Sequence, residues 1–158
     1  MITTTPAPLV DSDAQWDYRL QIPHDLRAAG VARDTLRSVL SAHELTPLLD
    51  TSALLTSELV ANALEYSDGP VALRLHWRAE RLRLAVWDNN PNPPDCLPVR
   101  EDSERGRGLY LVKLLSEEWG YHLTGEERLG LSGKSVWCDV TAPTGRDVDP
   151  RGGLSILP

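Results

Sequence analysis

The sequence lacks the features that mark most small extracellular proteins and membrane proteins. It has only two cysteines, Cys96 and Cys138, which form no Cys-x-x-Cys pair, so a disulfide framework and a structural zinc site are both poorly supported. No stretch approaches the ~18 apolar residues that cross a bilayer. Residues 1–14 have neither the basic start nor the apolar run of a signal peptide. We therefore expect a cytoplasmic protein with reduced thiols.

Positive charge is also scarce. The chain has 16 basic residues against 23 acidic ones, a formal net charge of −7, and its only lysines are Lys113 and Lys134. Clustered positive charge favours duplex DNA and anionic membranes, so this balance argues against direct binding to either. The shares of apolar (41%) and charged (25%) residues are near those of globular proteins and exclude wholesale disorder.

The length of 158 residues predicts one domain. Residues 1–14 are rich in Thr, Pro and Asp and predict a flexible N-terminal arm, and the Pro- and Gly-rich residues 143–158 predict a flexible C-terminal tail. The domain itself is expected over residues 15–142.

Hydrophobic periodicity predicts five strands and three helices in this domain. In chain order they are a strand over 16–22, helices over 25–44 and 48–67, strands over 71–77 and 82–86, a helix over 106–118, and strands over 119–123 and 135–140. This order predicts an α/β fold, a two-layer sandwich of a mixed, mostly antiparallel sheet with the helices on one face.

The second predicted helix contains the segment Glu-Leu-Val-Ala-Asn, which ends at Asn62. Glu58 and Asn62 are four residues apart, so on a helix they project from the same face, about one turn apart. A carboxylate there can orient or deprotonate an attacking hydroxyl, and a neutral amide oxygen can ligate Mg²⁺ without adding negative charge. Taken alone, the pair is more simply explained as an ordinary Glu and Asn on a solvated helix face.

Asp88 ends a predicted strand and opens a long segment that is rich in asparagine and has four prolines between residues 89 and 103. A carboxylate at a strand end can accept a hydrogen bond from an exocyclic amine, which would favour adenine over guanine, or it can simply form an Asx-turn. Loops of this length are usually functional or mobile.

A glycine-containing segment, Arg105-Gly106-Arg107-Gly108-Leu109, directly precedes the third predicted helix. Glycines let a ligand approach the backbone, the free N–H groups of a helix start face an anion, and arginines suit phosphate. Glycines also serve ordinary loop-to-helix turns. The segment matches neither the Walker nor the Rossmann pattern.

The last predicted strand begins with Gly-Lys-Ser-Val-Trp, in which Ser135 could place a hydroxyl beside a base. The alternative is an ordinary strand edge after a turn.

Taken together and in this order, these segments resemble the GHKL ATPase superfamily, which has the Bergerat nucleotide-binding fold and includes gyrase and sensor histidine kinases. The resemblance covers about residues 16–142. Within the superfamily, the segments GRGLYLVKLLSEEWG and GKSVW are most similar to the anti-sigma factor serine kinase branch common in actinobacteria.

The resemblance implies ATP and Mg²⁺ as ligands and assigns a role to each segment. It implies that Glu58 is the general base, that Asn62 ligates Mg²⁺, that Asp88 binds the adenine amino group, that the segment from Arg105 and Gly106 through Arg107 and Gly108 to Leu109 lies against the phosphates, and that Ser135 lies near adenine. Residues 89–105 correspond to the ATP lid.

The branch implies two protein partners: a sigma factor that is sequestered, and a small antagonist protein that is phosphorylated on a serine. Members of the branch often form homodimers. The chain departs from the family at Asp-x-Gly-x-Gly, because residues 88–92 read Asp-Asn-Asn-Pro-Asn and contain no glycine. Asn90 is expected to replace a glycine, because Asn tolerates left-handed backbone conformations. Two other hypotheses stay open, a nucleotide-sensing interaction module without phosphotransfer and a scaffold that binds no nucleotide.

Overall fold

A computed structural model describes residues 14–94, 107–125 and 132–142. The predicted C-terminal tail and nearly all of the predicted N-terminal arm lie outside these residues. In the described part the strands are β1 (Trp16–Ile22), β2 (Val71–Arg78), β3 (Arg81–Asp88), β4 (Glu118–Thr124) and β5 (Gly133–Thr141), and the helices are α1 (Ala28–Ala42), α2 (Leu49–Tyr66) and α3 (Arg107–Leu115). A 3₁₀ turn, Thr46–Leu48, leads into α2.

The five strands form one sheet in the order β1-β2-β3-β5-β4, and each neighbouring pair is antiparallel. The predicted α/β sandwich is therefore confirmed. The sheet is antiparallel throughout in the described residues rather than mixed. Strand β5, the last described strand, lies between β3 and β4, and its antiparallel pairing brings the end of β3 beside the start of β5.

Alternation along the strands separates the two faces of the sheet. Side chains such as Leu82, Leu84 and Val86 of β3 and Val136 and Val140 of β5 belong to the buried apolar core. The helices contribute to the same core, so they cover this face. The intervening residues of each strand point to the opposite face, which carries much of the sheet's charge.

The helices bury narrow apolar faces against the sheet. In α1 the core residues include Ala32, Leu36 and Leu40, which follow the helical repeat. In α2 Leu55 and Leu59 are buried at 0–1% exposure, which leaves other faces of that helix for chemistry. In the described parts of the chain, every helix is too short or too polar to cross a membrane.

Helix α3 ends at Leu115, three residues before the predicted end at Glu118. The backbone N–H of Ser116 still donates to the carbonyl of Val112, at 3.1 Å, but that of Glu117 donates to the carbonyl of Asp139 in β5, at 2.9 Å. Pairing with β5 thus replaces the next helical turn.

Candidate active site

Helix α2 presents Glu58 and Asn62 side by side, as their spacing predicts. Both side chains are half-buried, in contrast to the fully buried Leu55 and Leu59 that hold the helix on the sheet. The two polar groups therefore lie at the boundary between the core and solvent. This position lets them contact a ligand without taking a full charge into an apolar interior.

The start of α3 lies directly against Glu58. A β-carbon built on Gly108 would be 2.8 Å from Oε2 of Glu58 and 3.6 Å from its backbone oxygen, so the absence of a side chain at residue 108 is what allows the approach. The first turn of a helix has backbone N–H groups without intrahelical acceptors. The structure therefore places Glu58 next to the start of α3, the kind of backbone position that suits an anion.

Of the other residues in the glycine segment, one lies in the core and the rest lie wholly or partly outside the described residues. The side chain of Leu109 is 4% exposed and is part of the apolar core, so it anchors α3. Arg107 is the first residue of α3, and its side chain lies outside the described residues. Arg105 and Gly106 also lie outside them.

Asp88 is buried at the end of β3, with 1% of its surface exposed. Its Oδ1 accepts a hydrogen bond from the backbone N–H of Asn90, at 2.8 Å, which is the Asx-turn that the sequence allows. The same oxygen accepts a hydrogen bond from Nζ of Lys134, at 2.9 Å. The carboxylate is thus engaged by two donors from its own chain.

Lys134 was not among the residues predicted for the site. It lies opposite Asp88 in the pairing of β3 with β5, and its side chain is 2% exposed. The signal was the strand period: Lys134 has the same parity as the core residues Val136 and Val140, and therefore points to the helix-covered face.

Ser135 has the opposite parity and points to the other face of the sheet. It lines a cavity of about 270 Å³ there, together with Trp87 and Trp137. The expectation that Ser135 accompanies Asp88 at a base is therefore corrected, because in the described structure Lys134 is the β5 side chain beside Asp88.

Asn90 ties the segment after β3 to the end of α2. The side-chain amide of Asn90 donates to the backbone carbonyl of Tyr66, at 2.6 Å. The backbone carbonyl of Asn90 accepts a hydrogen bond from Nζ of Lys134, at 3.1 Å. Its backbone is not among the described non-glycine residues with positive φ, so the expected glycine-like conformation is wrong. Through these hydrogen bonds Asn90 instead links the end of α2 to the ends of β3 and β5.

The outer face of the sheet is held by ion pairs. Arg83 forms two hydrogen bonds with the carboxylate of Asp139, at 2.8 and 2.9 Å, and stacks on the ring of Trp137 at 3.9 Å. Burial raises the pKa of the Asp139 carboxyl, but the hydrogen bonds and charges of Arg83 and Arg81 outweigh burial and hold that pKa below its ordinary value. These contacts support the sheet and stay outside the helix-covered site.

The described cysteine has no role as a nucleophile. Burial raises the pKa of the Cys138 thiol to about 12, so the reactive thiolate is nearly absent at neutral pH. Cys138 belongs to the apolar core, and Cys96 lies outside the described residues.

The donor set on α2 fits a magnesium–nucleotide complex. Magnesium in such sites commonly takes one or two protein oxygens and completes its shell with phosphates and water, and Asn62 offers one neutral oxygen one turn from Glu58. Across the described ranges there is no group of three or more His, Cys, Asp or Glu residues that could hold a metal.

Comparison with known proteins identifies the family. The family model described as a histidine kinase-like ATPase domain matches residues 22–136, which run from the end of β1 into β5 and include Glu58, Asn62, Asp88 and Gly108. No curated protein matches the chain. The chain therefore belongs to the histidine kinase-like ATPase domain family, within the GHKL superfamily.

Proposed function

We propose that this chain binds Mg²⁺-ATP between α2, the end of β3 and the start of α3, and transfers the γ-phosphoryl group to a serine of a small antagonist protein. The observation that carries the proposal is the contact between Gly108 and Glu58, which joins an anion-binding helix start to a carboxylate. The carboxylate of Glu58 and the start of α3 can therefore contact the same ligand.

The proposed reaction gives each of these side chains one step. Glu58 takes the proton from the serine hydroxyl of the partner as its oxygen attacks the γ-phosphorus. The bond between that phosphorus and the β,γ-bridging oxygen breaks, and ADP leaves with the bond's electrons. Placement and charge stabilisation supply most of the rate enhancement in such transfers. Asn62 would hold Mg²⁺, which when bound would supply neutralisation of the developing phosphate charge.

The proposed partners are a sigma factor, held by the nucleotide-bound chain, and the antagonist, which is released once phosphorylated. Phosphorylation adds about −1.5 to −2 charges at neutral pH. The chain itself has a net charge of −7, so the added charge on the antagonist favours its dissociation. We place this activity in the cytoplasm and propose that a homodimer carries it out.

The second candidate is a module of the same fold that binds nucleotide without transferring phosphate. The sequence Asp-Asn-Asn-Pro-Asn at 88–92 favours it, because it lacks the glycines that the family commonly has there.

Titration calorimetry with Mg²⁺-ATP and Mg²⁺-ADP, followed by transfer of labelled γ-phosphate to candidate antagonist proteins from the same genome, separates the two candidates. Binding with transfer supports the kinase, and binding with no transfer to any candidate supports the module. In the kinase, Glu58→Gln abolishes transfer while binding persists. The matched variant Glu80→Gln, in the turn between β2 and β3, leaves both unchanged. Absence of binding contradicts both candidates.

A further inference from the structure

The strongest unassigned feature is the buried ion pair between Asp88 and Lys134. Nζ of Lys134 lies 2.9 Å from Oδ1 of Asp88, and the side chains are 2% and 1% exposed. From the nucleotide site proposed above we infer that Lys134 weakens the selection of adenine over a purine that lacks the 6-amino group. By pairing with Oδ1 of Asp88 it compensates the charge of the carboxylate that would otherwise read the 6-amino group of adenine.

The pair is built into the sheet rather than formed by a mobile surface chain. Asp88 and Lys134 are cross-strand partners, and both have the parity of the helix-covered face. Gly133 brings the strands together, since a β-carbon there would lie 2.2 Å from the carbonyl oxygen of Asp88. The ammonium group therefore has a fixed position beside the carboxylate.

The ammonium group also has a second acceptor. Nζ donates to the carbonyl of Asn90, at 3.1 Å, and the N–H of Asn90 donates to the same Oδ1 of Asp88, at 2.8 Å. Removing Lys134 from the carboxylate would therefore also leave the Asn90 carbonyl without this donor. These linked contacts stabilise the pairing of Lys134 with Asp88.

A purine amine is a weaker competitor for the carboxylate than the lysine. The amine of adenine is neutral, whereas the ammonium forms a charge-assisted bond, and such bonds are roughly twice as strong as neutral ones. Separating a buried ion pair also leaves an uncompensated charge. The 6-amino group therefore adds little to binding in the wild-type protein, and affinity comes mainly from the phosphates and Mg²⁺.

The test compares ATP with purine riboside 5′-triphosphate, which lacks only the 6-amino group, by titration calorimetry with Mg²⁺. A free carboxylate would separate the two ligands by about 10- to 100-fold in Kd, the value of a hydrogen bond to a charged group. We expect the wild-type ratio to be below about threefold. A wild-type ratio of tenfold or more would overturn the inference.

The variant Lys134→Met keeps the length of the side chain and removes its charge. We expect ATP to bind about tenfold more tightly to it, with the affinity for the analogue unchanged, because the 6-amino group then supplies the donor that Asp88 lacks. Lys113→Met, at the other lysine and on the exposed side of α3, is the control and keeps the wild-type ratio. Weaker ATP binding to Lys134→Met, at an unchanged ratio, contradicts the inference.

Two further measurements distinguish an unfolded variant, a wrong inference and a wrong proposed function. Circular dichroism shows whether Lys134→Met is folded, and if it is not, the wild-type ratio decides alone, because a ratio of tenfold or more contradicts the inference. If the folded wild type binds neither triphosphate nor ADP, the proposed function fails, and the inference fails with it. If it binds both triphosphates but separates them strongly, only the inference fails.

Discussion

Gly108 lies so close to Glu58 that any side chain at residue 108 would enter the space of the carboxylate, since a β-carbon there would be 2.8 Å from Oε2. Two segments that are fifty residues apart in sequence thus form one corner of the candidate site. The glycine is required by a close approach of two helices rather than by an unusual backbone angle.

Gly108→Ala is therefore expected to displace Glu58 or the first turn of α3. We expect a fall in phosphotransfer of about 10²-fold, the usual effect of misplacing a catalytic group by about 1 Å, while the free energy of unfolding changes by less than about 1 kcal/mol, because only the end of the flexible Glu58 side chain has to move. Steady-state kinetics and urea unfolding measure the two effects. Gly125→Ala is the control, because its β-carbon would meet nothing within 4 Å. Equal activity of the two variants would contradict the assignment of Glu58.

Asn62 is expected to make nucleotide binding depend on magnesium. In the wild type, adding Mg²⁺ tightens the binding of ATP, and chelation with EDTA reverses this. In Asn62→Ala the gain from Mg²⁺ falls by about 10- to 100-fold, because the amide oxygen no longer ligates the ion. Titrations with and without Mg²⁺ measure the difference. Asn92→Ala is the matched control, since the hydrogen bond that Asn92 donates uses its backbone N–H. A full response to Mg²⁺ in Asn62→Ala would exclude Asn62 as the ligand.

The fold and the positions of Glu58, Asn62 and Asp88 could be predicted, because they follow from local periodicity. Helical spacing is enough to place Glu58 and Asn62 on one face of α2, and strand alternation is enough to place Asp88 at a strand end. The end of α3 was missed because it is decided by a tertiary contact, the hydrogen bond from Glu117 to Asp139. No local pattern reports that pairing.

Lys134 and Ser135 show where the chemical type of a residue misled the sequence reading. The sequence predicts Ser135 because a hydroxyl suits a base contact, and it assigns Lys134 no role in the site, although a lysine in a buried strand has to be paired. The parity of Val136 and Val140 already indicated that Lys134 points to the helix-covered face. What the sequence could not supply is the register of β5 against β3, which brings Asp88 opposite the lysine.

The turn between β2 and β3 offers a test of stability far from these residues. Ala79 and Glu80 both have positive φ, 51° and 58°, in a two-residue hairpin turn where glycine is preferred at the second position. Glu80→Gly is expected to raise the free energy of unfolding by about 1 kcal/mol and the Tm by about 3 °C. Glu80→Ala removes the same charge but keeps the β-carbon, so it gains nothing. Thermal unfolding followed by circular dichroism decides between them, and equal Tm values for both variants would contradict the role of backbone strain.

Asp139 links the stability of the sheet to pH. Because Arg83 and Arg81 hold the pKa of this buried carboxyl below its ordinary value, the folded state releases the proton more readily than the unfolded state does. Its contribution is therefore complete above the unfolded pKa of about 4 and is lost as the pH falls from there through the folded pKa. Asp139→Asn is expected to lower the free energy of unfolding at pH 7 by about 1–3 kcal/mol.

The same argument fixes how that difference changes with acid. Urea unfolding of wild type and Asp139→Asn between pH 7 and pH 2 is expected to give a constant gap down to about pH 5 and a shrinking gap below about pH 4, because protonated Asp139 no longer pairs with Arg83. Asp34→Asn, which breaks an exposed ion pair with Arg37, stays within about 1 kcal/mol of wild type at pH 7. A gap that widens on acidification would mean that burial, not the arginines, controls the titration of Asp139.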